Sequence, residues 1–376
     1  MMIARLLLPT LQSYLSNQKA LLIIGPRQTG KTTLVKNLTQ DYKGPSLYLN
    51  ADELLVRERL SDASTERLRE IIGQAQLIVI DEAQRVKNIG LTLKLIVDQL
   101  PQVKVIATGS SALDLANEIN EPLTGRKFEF NLLPVSWQEW SAHVGALQAE
   151  SGLEQRLLYG MYPDVLNNPG GEQRILANLV SSYLYKDLLS LGQVRKPVIL
   201  ENLLQALSLQ LGNEVSYNEL SNLLSVSKDT VMHYIDLLEK AFVIFRLHPL
   251  RRNLRQELTT SRKIYFYDTG IRNALIGNFN PLKLRNDTGA LWENFLLSER
   301  MKKNHYAGRL FVRSYFWRLI QGGEIDYVEE DSGRFSAFEF KWNPSRKGKY
   351  PKAFQEAYPD SSFVTVTPDN FMGFIG

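Results

Sequence analysis

The stretch Gly25-Pro26-Arg27-Gln28-Thr29-Gly30-Lys31-Thr32 limits what this chain can fold into more than any other part of it. It fits G-x-x-x-x-G-K-[ST] in full, follows the apolar run Ala20–Ile24, and leads into Thr33–Leu38, which reads as a helix. Strand, glycine loop and helix are the context this pattern requires. A loop without large side chains turns successive backbone N–H groups inward, and the helix behind it adds its positive end, so phosphate oxygens are held without protonation. Gly25 to Thr33 is therefore the expected nucleotide-binding segment, with Lys31 reaching the β- and γ-phosphates and the Thr32 hydroxyl ligating Mg²⁺.

A second apolar run, Leu77-Ile-Val-Ile, ends in Asp81-Glu82. A buried parallel strand reads as continuous Val, Ile and Leu, and ligands gather at the carboxyl ends of such strands, which puts both acids beside the phosphates. Asp81 is the candidate metal holder, and Glu82 the candidate base for the attacking water. A further strand, Val103–Ala107, runs into Thr108-Gly-Ser110-Ser111, where Ser110 either touches the γ-phosphate or its water, or caps a helix over Ala112–Ile119. Around these strands the patterns give a helix over Leu6–Leu15, a strand over Ser46–Asn50 and a helix over Ser64–Ile72.

The chain's 376 residues are too many for one core and point to two or three domains. A hydrophobic content of 44% with 22% charged residues is that of a soluble globular chain rather than a disordered or fibrous one. With no cysteine, disulfides and thiolate-ligated metals are excluded, and a reducing compartment fits. Met1–Pro9 holds Arg5 and no small-residue cleavage pattern, and no apolar run reaches membrane-spanning length. A cytoplasmic protein with no membrane partner is the expectation. A net charge of +4 permits nucleic-acid contact without requiring it.

Taken together, the glycine loop, Ile80-Asp81-Glu82-Ala-Gln84 and Thr108-Gly-Ser110-Ser111 resemble the AAA+ class of P-loop ATPases, in which a sensor strand lies between the loop strand and the acidic strand. Within that class the chain is similar to prokaryotic ATPases with a C-terminal domain of unknown function. The likeness continues through Leu123-Thr-Gly-Arg126, Leu133-Pro-Val-Ser-Trp137-Gln-Glu139-Trp140 and Gly160-Met-Tyr162-Pro163. The resemblance implies ATP and Mg²⁺ as cofactors, and either a homo-oligomeric ring with sites shared between copies of the chain or, as in related switch ATPases, a monomer or dimer. It makes Arg126 the candidate arginine acting across subunits, against the plainer reading of a surface loop residue. No N-K-x-D guanine reader is present, so ATP is expected.

From Leu153 to Leu191 the pattern is helical, and Pro197 opens a helix to Leu211. Ser216-Tyr-Asn-Glu219 reads as a capping box, Ser227 starts a second helix through Lys240, and Phe242–Leu247 is a strand, which together spell a winged helix-turn-helix. The second helix carries Lys228 and His233 but also Asp229, Asp236 and Glu239, which phosphates repel. The stretch after it, with Arg246, Arg251, Arg252, Arg255, Arg262 and Lys263 against Glu257 alone, is the candidate DNA contact. The alternatives are a solvated basic face or a contact between domains.

Further on come a helix over Leu291–Met301 carrying Glu293, then strands Tyr315–Trp317, Gly323–Val328 with Asp326, and Phe338–Trp342 with Glu339 and Lys341. Strand alternation puts Glu339 and Lys341 on one face. An acid followed by E-x-K resembles the PD-(D/E)xK nucleases, and that likeness implies a possible second site of Glu293, Asp326, Glu339 and Lys341, with carboxylates on Mg²⁺ and the lysine polarising a water.

The expected fold class is thus α/β: a parallel-sheet P-loop NTPase domain over 1–145, a helical region with a winged helix over 146–255, and a restriction-endonuclease-like α/β domain over 256–376. The expected activity is Mg-dependent ATP hydrolysis coupled to movement of a DNA-associated distal half. The alternatives are an ATP-gated metal-dependent DNA nuclease and a slow ATP switch controlling a protein partner.

Overall fold

A computed structural model describes residues 2–110, 122–184, 196–250, 262–319 and 323–376. They form two compact units, residues 1–134 with 240–242, and residues 135–239 with 243–376.

The first unit is built on strands β1 (Ala20–Ile24), β2 (Ser46–Asn50), β3 (Leu77–Asp81), β4 (Lys104–Gly109) and β5 (Lys127–Asn131). They pair in parallel in the order β2-β3-β4-β1-β5. Every residue of β1, β3 and β4 is buried, which is why these strands carry unbroken apolar runs, whereas β2 and β5 lie at the edges and are only partly covered. Helices α1 (Leu7–Ser13) and α2 (Lys31–Asp41) pack on each other, and α2 buries Leu34, Val35 and Leu38. Strand β4 lies between β1 and β3, so Gly25 and Ser110, each just beyond its strand, lie with Asp81, the last residue of β3, at the carboxyl ends of three neighbouring strands.

The second unit holds a seven-stranded mixed sheet, β12-β11-β10-β9-β7-β8-β6. Its strands are β6 (Glu214–Val215), β7 (Ile244–Pro249), β8 (Arg262–Phe266), β9 (Arg313–Arg318), β10 (Glu324–Asp331), β11 (Arg334–Phe340) and β12 (Ser362–Val366). The helix Thr288–Tyr306 buries Leu291, Trp292, Phe295 and Leu296. Trp292 and Phe295 stack at 6.0 Å, and Trp137 meets the Phe295 ring edge-on at 5.8 Å. The helices Tyr217–Leu224 and Lys228–Lys240 start where side-chain caps were expected, with Ser216 Oγ accepting from Glu219 N at 3.4 Å and Ser227 Oγ from Thr230 N at 3.2 Å.

The two compact units do not coincide with the expected division into 1–145, 146–255 and 256–376. The helix Trp137–Val144 belongs to the second unit rather than the first, because Trp137 is buried there. The expected boundary at 255/256 falls between β7 and β8, which pair antiparallel, and β7 also pairs in parallel with β9, His248 opposite Tyr315. The helical region and the C-terminal strands therefore share one sheet.

Candidate functional site

The glycine loop joins β1 to α2, and its shape follows from close backbone approaches. A Cβ on Gly25 would lie 2.1 Å from Leu132 O, and Gly30 has φ 93°, so both positions need glycine. Thr29 is buried and its Oγ1 donates to Pro26 O at 2.9 Å, closing the turn. Arg27 is half-buried, while Gln28, with φ 63°, and Thr33 on α2 are exposed. Lys31 is buried, and its Nζ donates to Gly25 O and Pro26 O, both at 2.8 Å. The ammonium therefore lies inside the loop it is expected to serve, on carbonyls that phosphate oxygens would replace. Arg5, for which no expectation was formed, reaches the loop from the segment before α1. It donates to Thr29 O at 2.6 Å and to Leu133 O at 2.7 Å.

Asp81 is 2% exposed and fully engaged. Its Oδ2 accepts from Thr32 Oγ1 at 2.7 Å and from Tyr48 OH at 2.5 Å, while its Oδ1 accepts from Thr108 Oγ1. Burial, and then Asp81 itself, raise the Tyr48 phenol well above its ordinary range, so it remains a donor. Tyr48 and Thr108 were not among the expected site residues. Tyr48 gave no sequence signal beyond its place on β2, two residues before Asn50, which pairs with Asp81. A carboxylate and a hydroxyl in direct contact form the hard-oxygen set that suits Mg²⁺, so these residues fit the metal that the loop implies.

Glu82 adopts a left-handed conformation with φ 55° and ψ 40° and starts the short helix Ala83–Arg85. For a residue with a Cβ this costs about 1–3 kcal/mol, a strain found at functional sites. Its backbone N–H donates to Thr108 Oγ1 at 3.1 Å, and its Oε2 accepts from Gln84 Nε2 at 2.7 Å. Gln84 Nε2 also reaches Ser110 Oγ at 3.2 Å. The structure thus brings Lys31, Thr32, Asp81, Glu82 and Ser110 to one sheet edge. Ser111 and the helix that Ser110 was to cap lie outside the described residues.

Arg126 does not join them. It precedes β5, whose Lys127 pairs with Ala20 at the start of β1, so it sits at the amino ends of the strands, opposite the loop. There its guanidinium pairs with Asp98 at 2.7 Å. Arg126 therefore does not meet the loop of its own chain; the expectation for it concerns the site of a neighbouring copy.

In the second unit Glu293, Asp326, Glu339 and Lys341 do converge. Asp326 Oδ2 accepts from Phe340 N at 2.8 Å, and Lys341 Nζ donates to Glu339 Oε1 at 2.6 Å. Burial pushes the Glu293 carboxyl up to about 7, opposed by Lys263 and assisted by the charge of Asp326. Burial also raises Asp326 and Glu339 above the ordinary carboxylate range. Lys263, 2% exposed, lies among these groups, 3.2 Å from Glu293 Oε1 and 2.9 Å from Glu324 Oε1, and Tyr265 OH donates to the same Glu293 oxygen. Among the described residues no group of three or more His, Asp or Glu side chains is arranged as metal ligands.

Three residues of the expected basic stretch have partners within the chain. Arg246 pairs with Asp236 at 2.7 Å and with Glu239, Arg262 lies 5.1 Å over the Tyr217 ring, and Lys263 is buried. The same Arg246 pairing neutralises two acids of the helix Lys228–Lys240 that would repel phosphates. Arg251, Arg252 and Arg255 lie outside the described residues.

Comparison with known proteins bears on the first unit. A family described as "AAA domain" matches residues 17–141. The chain carries an AAA-type P-loop ATPase domain. ATP binding and hydrolysis, typically with Mg²⁺, follow in general terms. Two families described only as domains of unknown function, DUF8612 and DUF4143, match residues 150–282 and 288–373. An uncharacterized protein of Mycobacterium tuberculosis is 29% identical, over 88% of this chain and 72% of its own length. Another, of Haemophilus influenzae, is 25% identical over 82% of this chain and 81% of its own. A Walker-type ATPase of Pyrococcus abyssi is 16% identical with a TM-score of 0.49, covering 72% of this chain and 94% of that one. Among the described residues no helix is long and apolar enough to cross a membrane.

Proposed function

We propose that this chain is a Mg-dependent ATPase whose nucleotide state moves a winged-helix and nuclease-like second unit against DNA. The observation that carries the ATPase part is the contact between Thr32 and Asp81 beside the left-handed Glu82, at the strand ends that flank the glycine loop. In this reading the loop N–H groups and Lys31 hold the triphosphate, with Lys31 leaving the Gly25 and Pro26 carbonyls to do so. Bound Mg²⁺ supplies charge neutralisation at the β- and γ-phosphates. Thr32 and Asp81 hold it, Tyr48 and Thr108 fix the Asp81 carboxylate, and Glu82 takes the proton of the attacking water. The DNA part is supported by the sequence of elements in the second unit: the helix Pro197–Leu209, β6, two further helices, then the β7–β8 hairpin. A homo-oligomer and a protein partner remain part of the proposal through the AAA-type domain alone.

Purified protein is expected to release phosphate from ATP only with Mg²⁺, and Lys31→Ala to lower that rate by about a hundredfold or more. Single-stranded, double-stranded or branched DNA is expected to raise the wild-type rate. No Mg-dependent affinity for a nucleoside triphosphate would end the ATPase reading, and a rate indifferent to every DNA would end its DNA half.

A second reading, ATP-gated cleavage of DNA, is supported by the convergence of Glu293, Asp326, Glu339 and Lys341. The Lys263 ammonium weighs against it, since it already neutralises the carboxylates that a metal would need. Labelled DNA incubated with Mg²⁺ or Mn²⁺ is therefore expected to give identical patterns for wild type, Asp326→Ala and Lys341→Ala. Fragments made by wild type and missing from both variants would establish cleavage.

A further inference from the structure

Gln84 lies two residues beyond the candidate base, in the short helix that the left-handed Glu82 begins. Its side-chain amide is half engaged. Nε2 donates to Glu82 Oε2 at 2.7 Å and reaches Ser110 Oγ at 3.2 Å, while Oε1 is buried and accepts no hydrogen bond from any described residue. The amide orientation is fixed by electrostatics, because turning it over would press Oε1 against a carboxylate and leave the NH₂ group facing nothing. A buried amide oxygen without a donor is costly, so such an atom calls for an explanation. A small donor held next to Glu82 supplies one.

We propose that Gln84 is the residue that positions the attacking water: its Nε2 aims the Glu82 carboxylate, and its Oε1 accepts one hydrogen of the water while Glu82 takes the other. This deepens the ATPase reading above and rests on it. The water oxygen forms its bond to the γ-phosphorus, and the bond from that phosphorus to the β–γ bridging oxygen breaks. Its electron pair leaves on ADP, one water proton passes to Glu82, and inorganic phosphate departs. Two acceptors on two side chains fix the water's direction, as in-line attack needs. Ser110, just beyond the neighbouring strand β4, accepts from the same Nε2 and keeps Gln84 from rotating away.

The test is ATP hydrolysis by the full chain with Mg²⁺, comparing wild type, Gln84→Ala and Gln84→Glu, with Mg-ATP affinity measured separately for each. Gln84→Ala should lose about tenfold to a hundredfold in kcat with Mg-ATP affinity held within about twofold. Gln84→Glu keeps the shape but replaces the amide donor toward Glu82 with an acceptor, so its kcat should fall about as far as that of Gln84→Ala, again with Mg-ATP affinity held within about twofold. A residue serving the fold alone would lower affinity and thermal stability together with kcat. Wild-type kcat in either variant, or a loss of affinity matching the loss of kcat, would overturn the proposal. Absence of hydrolysis by wild type would instead overturn the ATPase reading beneath it.

Discussion

Glu82→Gln should lower ATP turnover by about 10²–10⁴-fold while Mg-ATP binds as tightly as before. The substitution keeps the size of the side chain and removes only its ability to take a proton. In the proposed reading binding belongs to other groups, the loop N–H groups, Lys31, and the Thr32 and Asp81 oxygens, none of which Glu82 touches through its carboxylate. Phosphate release and equilibrium nucleotide binding, measured on the same preparations, separate the two effects. Turnover close to wild type would move the base elsewhere, and a parallel loss of binding would make Glu82 a structural residue of the loop.

The largest effect on stability is expected at Lys302. Glu299 and Lys302 lie one turn apart on the helix Thr288–Tyr306, with side chains 2% and 1% exposed. Lys302 Nζ donates to Glu299 Oε1 at 2.7 Å and to Val135 O at 3.1 Å, and Glu299 Oε2 accepts from Trp137 N at 2.5 Å. Lys302→Met leaves a buried carboxylate without its cation, a loss of about 3–5 kcal/mol in unfolding free energy. Burial already raises Glu299 above the ordinary carboxylate range, and the variant raises it further. A carboxyl whose folded pKa lies above its unfolded value takes up a proton on folding, so the cost grows as pH rises above the unfolded value and shrinks in acid. Urea unfolding across that range checks the sign. Removing both charges together, Glu299→Gln with Lys302→Met, should recover most of the loss. A single-variant loss below about 1 kcal/mol would show that the pair contributes little to this core.

How much could be read ahead of the structure differs between the units. In the first, β1, β3 and β4 announce themselves because a strand covered on both faces must be apolar at every position, and the loop motif lies between strand and helix as its chemistry requires. The edge strand β5, Lys-Phe-Glu-Phe-Asn, went unnoticed: it is half polar and only partly buried, and little in such a segment separates it from a loop. Arg126 is singled out by the resemblance and its position along the chain, neither of which says where in the sheet it lies. Which end of β5 it occupies is a matter of register. In the second unit, charge counting could not show that Arg246 and Lys263 pair with acids, since linear charge is blind to partners such as Asp236, Glu239 and Glu293 that arrive from other elements.

By itself the sequence determined the residue types whose chemistry is local: a phosphate loop between strand and helix, an acidic strand end, and the helix caps at Ser216 and Ser227. These depend on neighbours a few positions away, so spacing along the chain is enough to specify them. Only the tertiary structure decided that Tyr48 and Thr108 hold Asp81, that Gln84 engages Glu82 and Ser110 together, and that Lys263 is set among the carboxylates of the second unit. Apart from Gln84 with Glu82, two positions away, those contacts join residues far apart in the chain through strand order and register, and side-chain partners across a sheet leave no periodic trace in the sequence.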